Sequence, residues 1–257
     1  YEISACLVGS EMGIRDRYEI DPVWEAGNKN IPGIYIEFKE PWLNPKGFEQ
    51  IVYDVLANTQ DMNIIEKPEP EDTPFYINNG TVNVGNTNGK VILQTFSLES
   101  LVRVAEVFQG KVPMCFLLWK GTGATDLTYD DPLGYASFIN LGVKYKAHFI
   151  GPCIAGAPND YPELDQPWQD YLIHRAKMKN HPYTFDTYDQ MAKYFGQYNF
   201  GVADGMFNPP YLDALFTNHS DMSINYMITH GWRKSPASQT LVDAREVLRK
   251  LGYLDNN

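Results

Sequence analysis

Residues 91–110 read VILQTFSLESLVRVAEVFQG, and this stretch decides the class of fold. Val91 to Thr95 is a short apolar run that is typical of a buried strand. Ser97 is a good N-cap for the helix that follows, apolar residues then recur at helical spacing as far as Phe108, and Gly110 ends the helix. A strand followed directly by an amphipathic helix is the repeating unit of a parallel α/β sheet.

The same unit recurs on both sides of this stretch. Further strands are predicted at 34–38, 113–119, 147–150, 181–185 and 211–217. Six strand–helix units in alternation predict a parallel sheet, which is either an open doubly wound sheet or part of an eight-stranded barrel. Periodicity alone leaves both open, but in both the ligand site lies beyond the carboxyl ends of the strands.

Several helix boundaries and faces are also predicted. Asp131 and Asp165 are expected to cap helices, Gly142 to end one, and Thr187 with Gln190 to form a capping box. The helix that opens at Asn44-Pro45 is expected to turn one apolar face inward, made of Phe48, Ile51, Val52, Val55 and Leu56. A last amphipathic helix is expected over 241–251, and the acidic, proline-rich stretch with a hairpin signal at 61–90 is expected to be an insertion.

Composition restricts the function classes. The chain has 257 residues, 44% of them hydrophobic, which suits one globular domain with a full core. Its net charge of −11, with scattered Lys and Arg, argues against nucleic acid and favours a small or cationic ligand. The sequence contains no run of 18 apolar residues, so it predicts no membrane span. Three scattered cysteines suggest neither a zinc site nor a disulfide framework.

The candidate site lies on the strand in GIYIEFKEPW, Gly33 to Trp42. Alternation along a strand turns Ile36 and Phe38 toward the helices and sends Glu37 and Lys39 to the other face. A carboxylate suits a hard metal ion and an ammonium suits a phosphate oxygen, so the pair is consistent with a phosphoester site. The alternative is an internal Glu–Lys ion pair that only satisfies two buried charges.

Five segments, in order, resemble the glycerophosphodiester phosphodiesterase family, especially its longer periplasmic branch. They are GIYIEFKEPW, VILQTFS (91–97), FIGP (149–152), NHPYTF (180–185) and ALFTNHSD (214–221), and together they span about residues 31–230. The resemblance implies a TIM-type (β/α)8 barrel of the phospholipase C-like phosphodiesterase kind, lacking its first two strand units. It also implies hydrolysis of glycerophosphodiesters to an alcohol and glycerol 3-phosphate, within lipid and glycerol metabolism.

The resemblance assigns roles to five residues. Glu37 would be a ligand of a divalent metal, Ca²⁺ or Mg²⁺, and Lys39 a phosphate contact. Gln94, Phe96 and Tyr183 would be walls of the substrate pocket. The family's longer branch further implies a periplasmic or secreted protein, whose signal peptide would lie in a missing N-terminus upstream of Tyr18.

The chain also departs from the family pattern. The family's His-Arg-Gly, Glu-x-Asp and Val-x-His-Asp segments, which carry its catalytic histidine pair and other metal ligands, are not found, so no catalytic residue is identified. The family's closing Thr-Asp is replaced by Thr217-Asn218. We therefore expect an inactive fragment of an active parent enzyme. The alternatives are a non-catalytic ligand-binding barrel, or another phosphodiesterase or phospholipase with the same barrel.

The N-terminal segment, 1–17, is expected to be foreign to the protein. Leu7 to Arg17 reads LVGSEMGIRDR, which differs only at Gly13 from LVGSEMCIRDR, the translation of a transposase-based sequencing adapter. The expected domain organisation is thus an adapter-derived segment over 1–17 and a partial phosphodiesterase barrel over 18–257, with the insertion at about 61–90.

Overall fold

A computed structural model describes residues 34–39, 43–58, 91–119, 130–159, 163–194 and 213–230. The chain divides into two compact units, Gly33–Tyr226 and the two chain ends, Tyr1–Pro32 with Met227–Asn257. All described residues except 227–230 belong to the first unit. The predicted adapter segment at 1–17, the insertion at 61–90 and the last helix at 241–251 lie outside the described residues.

The described residues alternate strands with helices. In chain order the elements are β1 (Ile34–Glu37), α1 (Phe48–Asn58), β2 (Val91–Thr95), α2 (Leu98–Phe108), β3 (Met114–Leu118), α3 (Pro132–Lys144), β4 (Phe149–Pro152), α4 (Pro167–Arg175), β5 (Lys179–Asn180), α5 (Tyr188–Ala192) and α6 (Ser220–Thr229). Within these ranges no helix is long and apolar enough to cross a membrane. The predicted α/β class is confirmed.

The five strands form one parallel sheet in the order β1-β2-β3-β4-β5. Each strand therefore pairs with the next strand along the chain. A doubly wound sheet reverses its strand order at a switch point, whereas a barrel keeps sequential order. The described strands show no such reversal, so their order is consistent with an arc of a barrel.

The sheet is also strongly curved. The hydroxyl of Tyr35 on β1 lies 3.1 Å from Nδ1 of His181, directly after β5. In a flat sheet with strands about 4.8 Å apart, β1 and β5 would be about 19 Å apart, more than these two side chains span. The face that carries Tyr35 is therefore concave. Closure into an eight-stranded barrel stays a prediction.

Each face of the sheet has its own apolar core. On the convex face Phe38 is buried and its ring contacts those of Phe48 on α1 and Phe108 on α2. On the concave face a cluster forms around buried Cys115, Leu117 and Phe149, with further partly buried rings packed against it. The predicted alternation of β1 is thus confirmed for Phe38, and Tyr35 belongs to the cluster on the other face.

The predicted inward face of α1 is wrong in two positions. Ile51 and Val55 are 55% and 51% exposed, whereas Val52 and Leu56 are buried. The helix is rotated so that Glu49, which is 2% exposed, also faces inward. Its carboxylate lies 3.6 Å from the guanidinium of Arg103 on α2, which supplies an opposite charge at this buried position.

Two predicted helix ends are also wrong. Gly142 does not end α3, which continues to Lys144. A Cβ at Gly142 would lie 3.2 Å from the Ile150 side chain, so this glycine allows close packing of α3 on β4. Asp165 does not cap α4, because Gln166 is the N-cap and Asp165 is buried, accepting a hydrogen bond from Asn180.

Later strand boundaries differ from the pattern. β4 begins and ends two residues later than predicted, and the strand expected at 181–185 is Lys179–Asn180, followed by an isolated bridge from Cys153 to Tyr183. Residues 213–217 form no regular strand, although Phe216 donates to the carbonyl of Pro182. Pro182 has no N–H and so interrupts any regular ladder there. The Thr187–Gln190 capping box is confirmed.

Candidate functional site

A cavity of about 300 Å³ opens where the strands end. It is lined by Glu37, Gln94, Phe96, Leu117, Tyr183, Thr184, Phe216, Thr217 and Asn218. Four of the five site residues expected from the sequence are in this set, and Lys39 is not. The structure therefore brings together the carboxylate and the three expected wall residues.

Parallel pairing explains why these residues meet. Glu37 is the last residue of β1 and is in register with Gln94 on β2. Phe96 follows β2 directly, and Tyr183 follows β5 in the bridge to Cys153. The carboxyl ends of parallel strands share one edge, and the curvature of the sheet turns that edge around a common space.

Glu37 is the only acidic side chain among the described lining residues. Its Oε1 is buried and has no hydrogen-bond partner within the described part of the chain. Burial raises the pKa of Glu37, and the charge of Lys39 partly opposes that rise. A desolvated carboxylate oxygen without a partner is costly, so this oxygen is suited to a positive or donating group of a ligand.

Lys39 lies outside the cavity lining and is exposed. β1 ends at Glu37, so strand alternation no longer directs the Lys39 side chain inward. Within the described ranges no ion pair joins Lys39 to Glu37, and the alternative of a satisfied internal ion pair is not supported. Lys39 acts on Glu37 through its charge alone.

Aromatic rings form much of the wall. The rings of Phe96 and Tyr183 are 5.7 Å apart and nearly perpendicular, at 88°. The Tyr183 hydroxyl donates to the carbonyl of Leu118 at 3.0 Å, which fixes the orientation of its ring. Phe216 packs edge-on against Tyr35, with ring centroids 4.7 Å apart.

Asp186 holds Asn218, which is one of the lining residues. Its Oδ1 accepts from the backbone N–H of Asn218 at 2.9 Å, and its Oδ2 accepts from Asn218 Nδ2 at 2.7 Å. An ionised carboxylate only accepts hydrogen bonds, so the amide nitrogen of Asn218 must be the atom that faces Asp186. The amide oxygen of Asn218 is then left as an acceptor.

Sequence reasoning missed Leu117, Thr184, Phe216 and Asp186. Leu117 and Phe216 are indistinguishable from core residues in a linear pattern, because both sit in apolar runs. Asp186 contacts Asn218 across 32 residues of chain. No local pattern in the sequence marks this contact.

None of the five histidines lines the cavity. His148 and His181 are buried, and burial lowers the pKa of each from 6.5 to about 4, so both are neutral at pH 7. His181 stacks on Phe149 with ring centroids 3.9 Å apart. These histidines therefore belong to the core of the sheet rather than to the cavity wall.

Asp213 makes a set of charged contacts, which we call the latch. The latch anchors the segment that supplies Phe216, Thr217 and Asn218. The carboxylate of Asp213 accepts from His174 Nε2 at 2.8 Å, from Lys179 Nζ at 3.0 Å and from the Asn180 N–H at 2.8 Å. His174 Nδ1 also lies 3.3 Å from buried Asp170 on the same helix. The latch ties α4 and β5 to the cavity wall.

We expect the latch to make the folded chain less stable at alkaline pH. Burial disfavours the charged ring of His174, but hydrogen bonds to Asp170 and Asp213 outweigh it and raise its pKa from 6.5 to about 10. A raised pKa in the folded state gives stability that is complete below pH 6.5 and lost as pH rises toward 10. His174 is 37% exposed, so solvent limits the effect to about 1 kcal/mol.

Urea unfolding at pH 6, 8 and 10 measures this dependence. The wild-type chain should lose more stability over the range than His174→Gln, in which the titrating group is gone. Equal losses in both proteins would assign the pH dependence to other groups.

Comparison with known proteins does not show to which family the chain belongs. No protein-family model matches the chain, and no curated protein does. The solved structures include a similar one, described as "Putative glycerophosphoryl diester phosphodiesterase" from Silicibacter pomeroyi DSS-3, with 14% identity and a TM-score of 0.46. The match covers 79% of this chain and 53% of that one, so the chain spans about half the length of the solved structure. Similarity at this level assigns neither a family nor an activity.

Proposed function

We propose that the chain is the substrate-binding part of a glycerophosphodiester phosphodiesterase barrel. The intact parent would hydrolyse a glycerophosphodiester to an alcohol and glycerol 3-phosphate, and would be periplasmic or secreted. One observation carries the proposal: four residues that the resemblance assigns to the site, from three separate strand ends, line one cavity, and Glu37 there has an unpartnered oxygen.

The residues of this chain would bind and orient the substrate. The rings of Phe96, Tyr183 and Phe216 exclude water from the organic part of the ligand. Exposed Lys39 would attract the phosphate from outside the cavity, where its charge is already felt by Glu37. Asp186 keeps the side chain of Asn218 in a single orientation in the lining.

The described residues do not by themselves fit a divalent metal ion. No group of three or more His, Cys, Asp or Glu side chains within the described ranges is placed to hold one. Ca²⁺ takes six to eight oxygen ligands and Mg²⁺ takes six, of which only some are carboxylates, whereas Glu37 is the one carboxylate in the described lining. A Ca²⁺ or Mg²⁺ ion on Glu37 therefore stays a proposal for the parent enzyme that requires further ligands.

The described lining also contains no acid–base pair. General acid–base catalysis commonly contributes about 10²–10⁴-fold to a hydrolysis rate. We accordingly propose that the 257-residue chain is inactive. The same observation favours a second candidate, a ligand-binding barrel without catalysis.

Hydrolysis assays distinguish the two candidates. The 257-residue chain should show no measurable glycerophosphocholine hydrolysis with added Mg²⁺ or Ca²⁺. A longer protein, in which the two strand units implied by the family resemblance precede residue 18, should recover metal-dependent turnover. Glu37→Gln in that longer protein should remove most of the turnover, while Glu106→Gln, the same change at an exposed position on α2, should not.

Three results would contradict the proposal. Robust hydrolysis by the 257-residue chain would mean that the catalytic groups have been misassigned. An unaffected Glu37→Gln in the longer protein would remove Glu37 from the mechanism. A folded longer protein without any hydrolysis would favour the ligand-binding barrel.

A further inference from the structure

The cavity presents acceptors and aromatic faces rather than cationic donors. None of its described lining residues is Lys, Arg or His. Glu37 Oε1 is buried and unpartnered, and the orientation imposed by Asp186 leaves the amide oxygen of Asn218 available. An anion placed here would meet a buried carboxylate and no compensating positive side chain among the described residues.

Two of the hydroxyl groups in the lining are already engaged. The Tyr183 O–H donates to Leu118, and the Thr217 hydroxyl lies 3.5 Å from Asp186 Oδ1. What Tyr183 offers the cavity is therefore its ring. With Phe96 at a right angle to it and Phe216 completing the wall, the rings form an aromatic corner beside one carboxylate.

This combination suits an organic cation. A ligand ammonium is attracted by the faces of aromatic rings, and aromatic walls are a recurrent means of binding quaternary ammonium groups. One carboxylate is enough to balance a monovalent charge, whereas a divalent ion requires several oxygen ligands. The cavity volume of about 300 Å³ is also at the small end of ligand sites.

We propose that the cavity binds an organic monocation, an alkylammonium group whose charge faces Glu37 and whose alkyl surface packs on Phe96, Tyr183 and Phe216. This goes beyond the proposed hydrolysis and does not depend on it. A single carboxylate is too few ligands for a divalent ion. It is enough for a monovalent organic cation, which the described residues can bind without further ligands.

Calorimetric titration of the 257-residue chain tests the proposal. Choline chloride should bind with a dissociation constant on the order of 1 mM. Its uncharged carbon isostere, 3,3-dimethylbutan-1-ol, should bind at least about tenfold more weakly, because it retains the shape and loses the charge. Glycerol 3-phosphate, MgCl₂ and CaCl₂ should neither bind at the same concentrations nor displace choline.

Matched variants assign the binding to the cavity. Glu37→Gln should weaken choline binding about tenfold, and Phe96→Leu should weaken it about threefold or more. Glu106→Gln should leave it within about twofold of wild type. Circular dichroism checks that each variant is folded, and Phe96→Leu provides an independent test should Glu37→Gln fail to fold.

The overturning results are specific. Equal affinity for choline and its isostere, unchanged choline affinity in folded Glu37→Gln, or no choline binding would each refute the proposal. Tight Mg²⁺ or Ca²⁺ binding that displaces choline would replace it with a metal site. Hydrolysis by the longer protein without choline binding by this chain would refute this proposal and leave the proposed function intact.

Discussion

Gly151→Ala is expected to lower the free energy of unfolding by about 2–3 kcal/mol, because the sheet has no room for a side chain at this position. A Cβ on Gly151 would lie 2.6 Å from Leu117 Cδ2, 2.9 Å from Cys115 Sγ and 3.1 Å from the carbonyl oxygen of His181. The His181 oxygen belongs to the backbone that follows β5, so it cannot rotate away. Leu117 also lines the cavity, and we expect the strain to weaken ligand binding as well.

Urea unfolding of Gly151→Ala and Gly142→Ala measures the effect against a matched control. Both glycines are buried, but a Cβ on Gly142 would meet only the flexible tips of Ile150 and Met178 at less than 3.4 Å, at 3.2 and 3.3 Å. Alanine also has a helix propensity about 1 kcal/mol better than that of glycine, which offsets the crowding in α3. Equal destabilisation by the two substitutions would show that β4 does not approach β3 and His181 as closely as these distances imply.

Asp213→Ala is expected to cost about 2–3 kcal/mol and to release the wall of the cavity. The substitution leaves the Asn180 N–H without its acceptor. It also removes one of the two carboxylates that contact His174, so that the histidine contacts buried Asp170 alone. Burial would raise the pKa of Asp213, but its hydrogen bonds from His174, Asn180 and Lys179 lower it from 3.8 to about 2. The folding stability that is linked to this lowered pKa is complete above pH 3.8 and is lost as pH falls toward 2.

Asp213→Asn separates charge from hydrogen bonding. The amide oxygen still accepts from Asn180, so the loss of stability should be smaller than with alanine. Hydrogen exchange gives the local readout: the Phe216 N–H, which donates to Pro182, should exchange faster in Asp213→Ala. Unchanged exchange at Phe216 in a destabilised variant would show that the latch does not hold the wall.

Features set by neighbouring residues could be predicted from the sequence. Ser97 and Asp131 cap their helices through hydrogen bonds to backbone N–H groups within three residues, as their sequence context indicates. The capping box at Thr187 and Gln190 is equally local. Strand alternation correctly placed Phe38 against the helices, because the period of two depends only on the strand itself.

Features set by distant partners could not be predicted. Glu49 faces inward beside Arg103 on another helix, and buried Asp165 accepts a hydrogen bond from Asn180 on β5. From the sequence pattern alone, Glu49 and Asp165 would be predicted to lie at the surface or to cap a helix. In the cavity, Glu37 was singled out by strand alternation and Gln94 through the family resemblance, whereas Asp186 acts through a contact that no local spacing encodes.

The contact between Tyr35 and His181 joins residues 146 positions apart along the chain. Such a contact forms only after the intervening strands have been laid side by side, since the entropy of closing a long loop must be met before its contact contributes. The cavity above it should accordingly be among the last parts of the molecule to assemble during folding. Ligand binding in a refolding experiment would then report completion of the whole sheet, whereas helix signals would appear earlier.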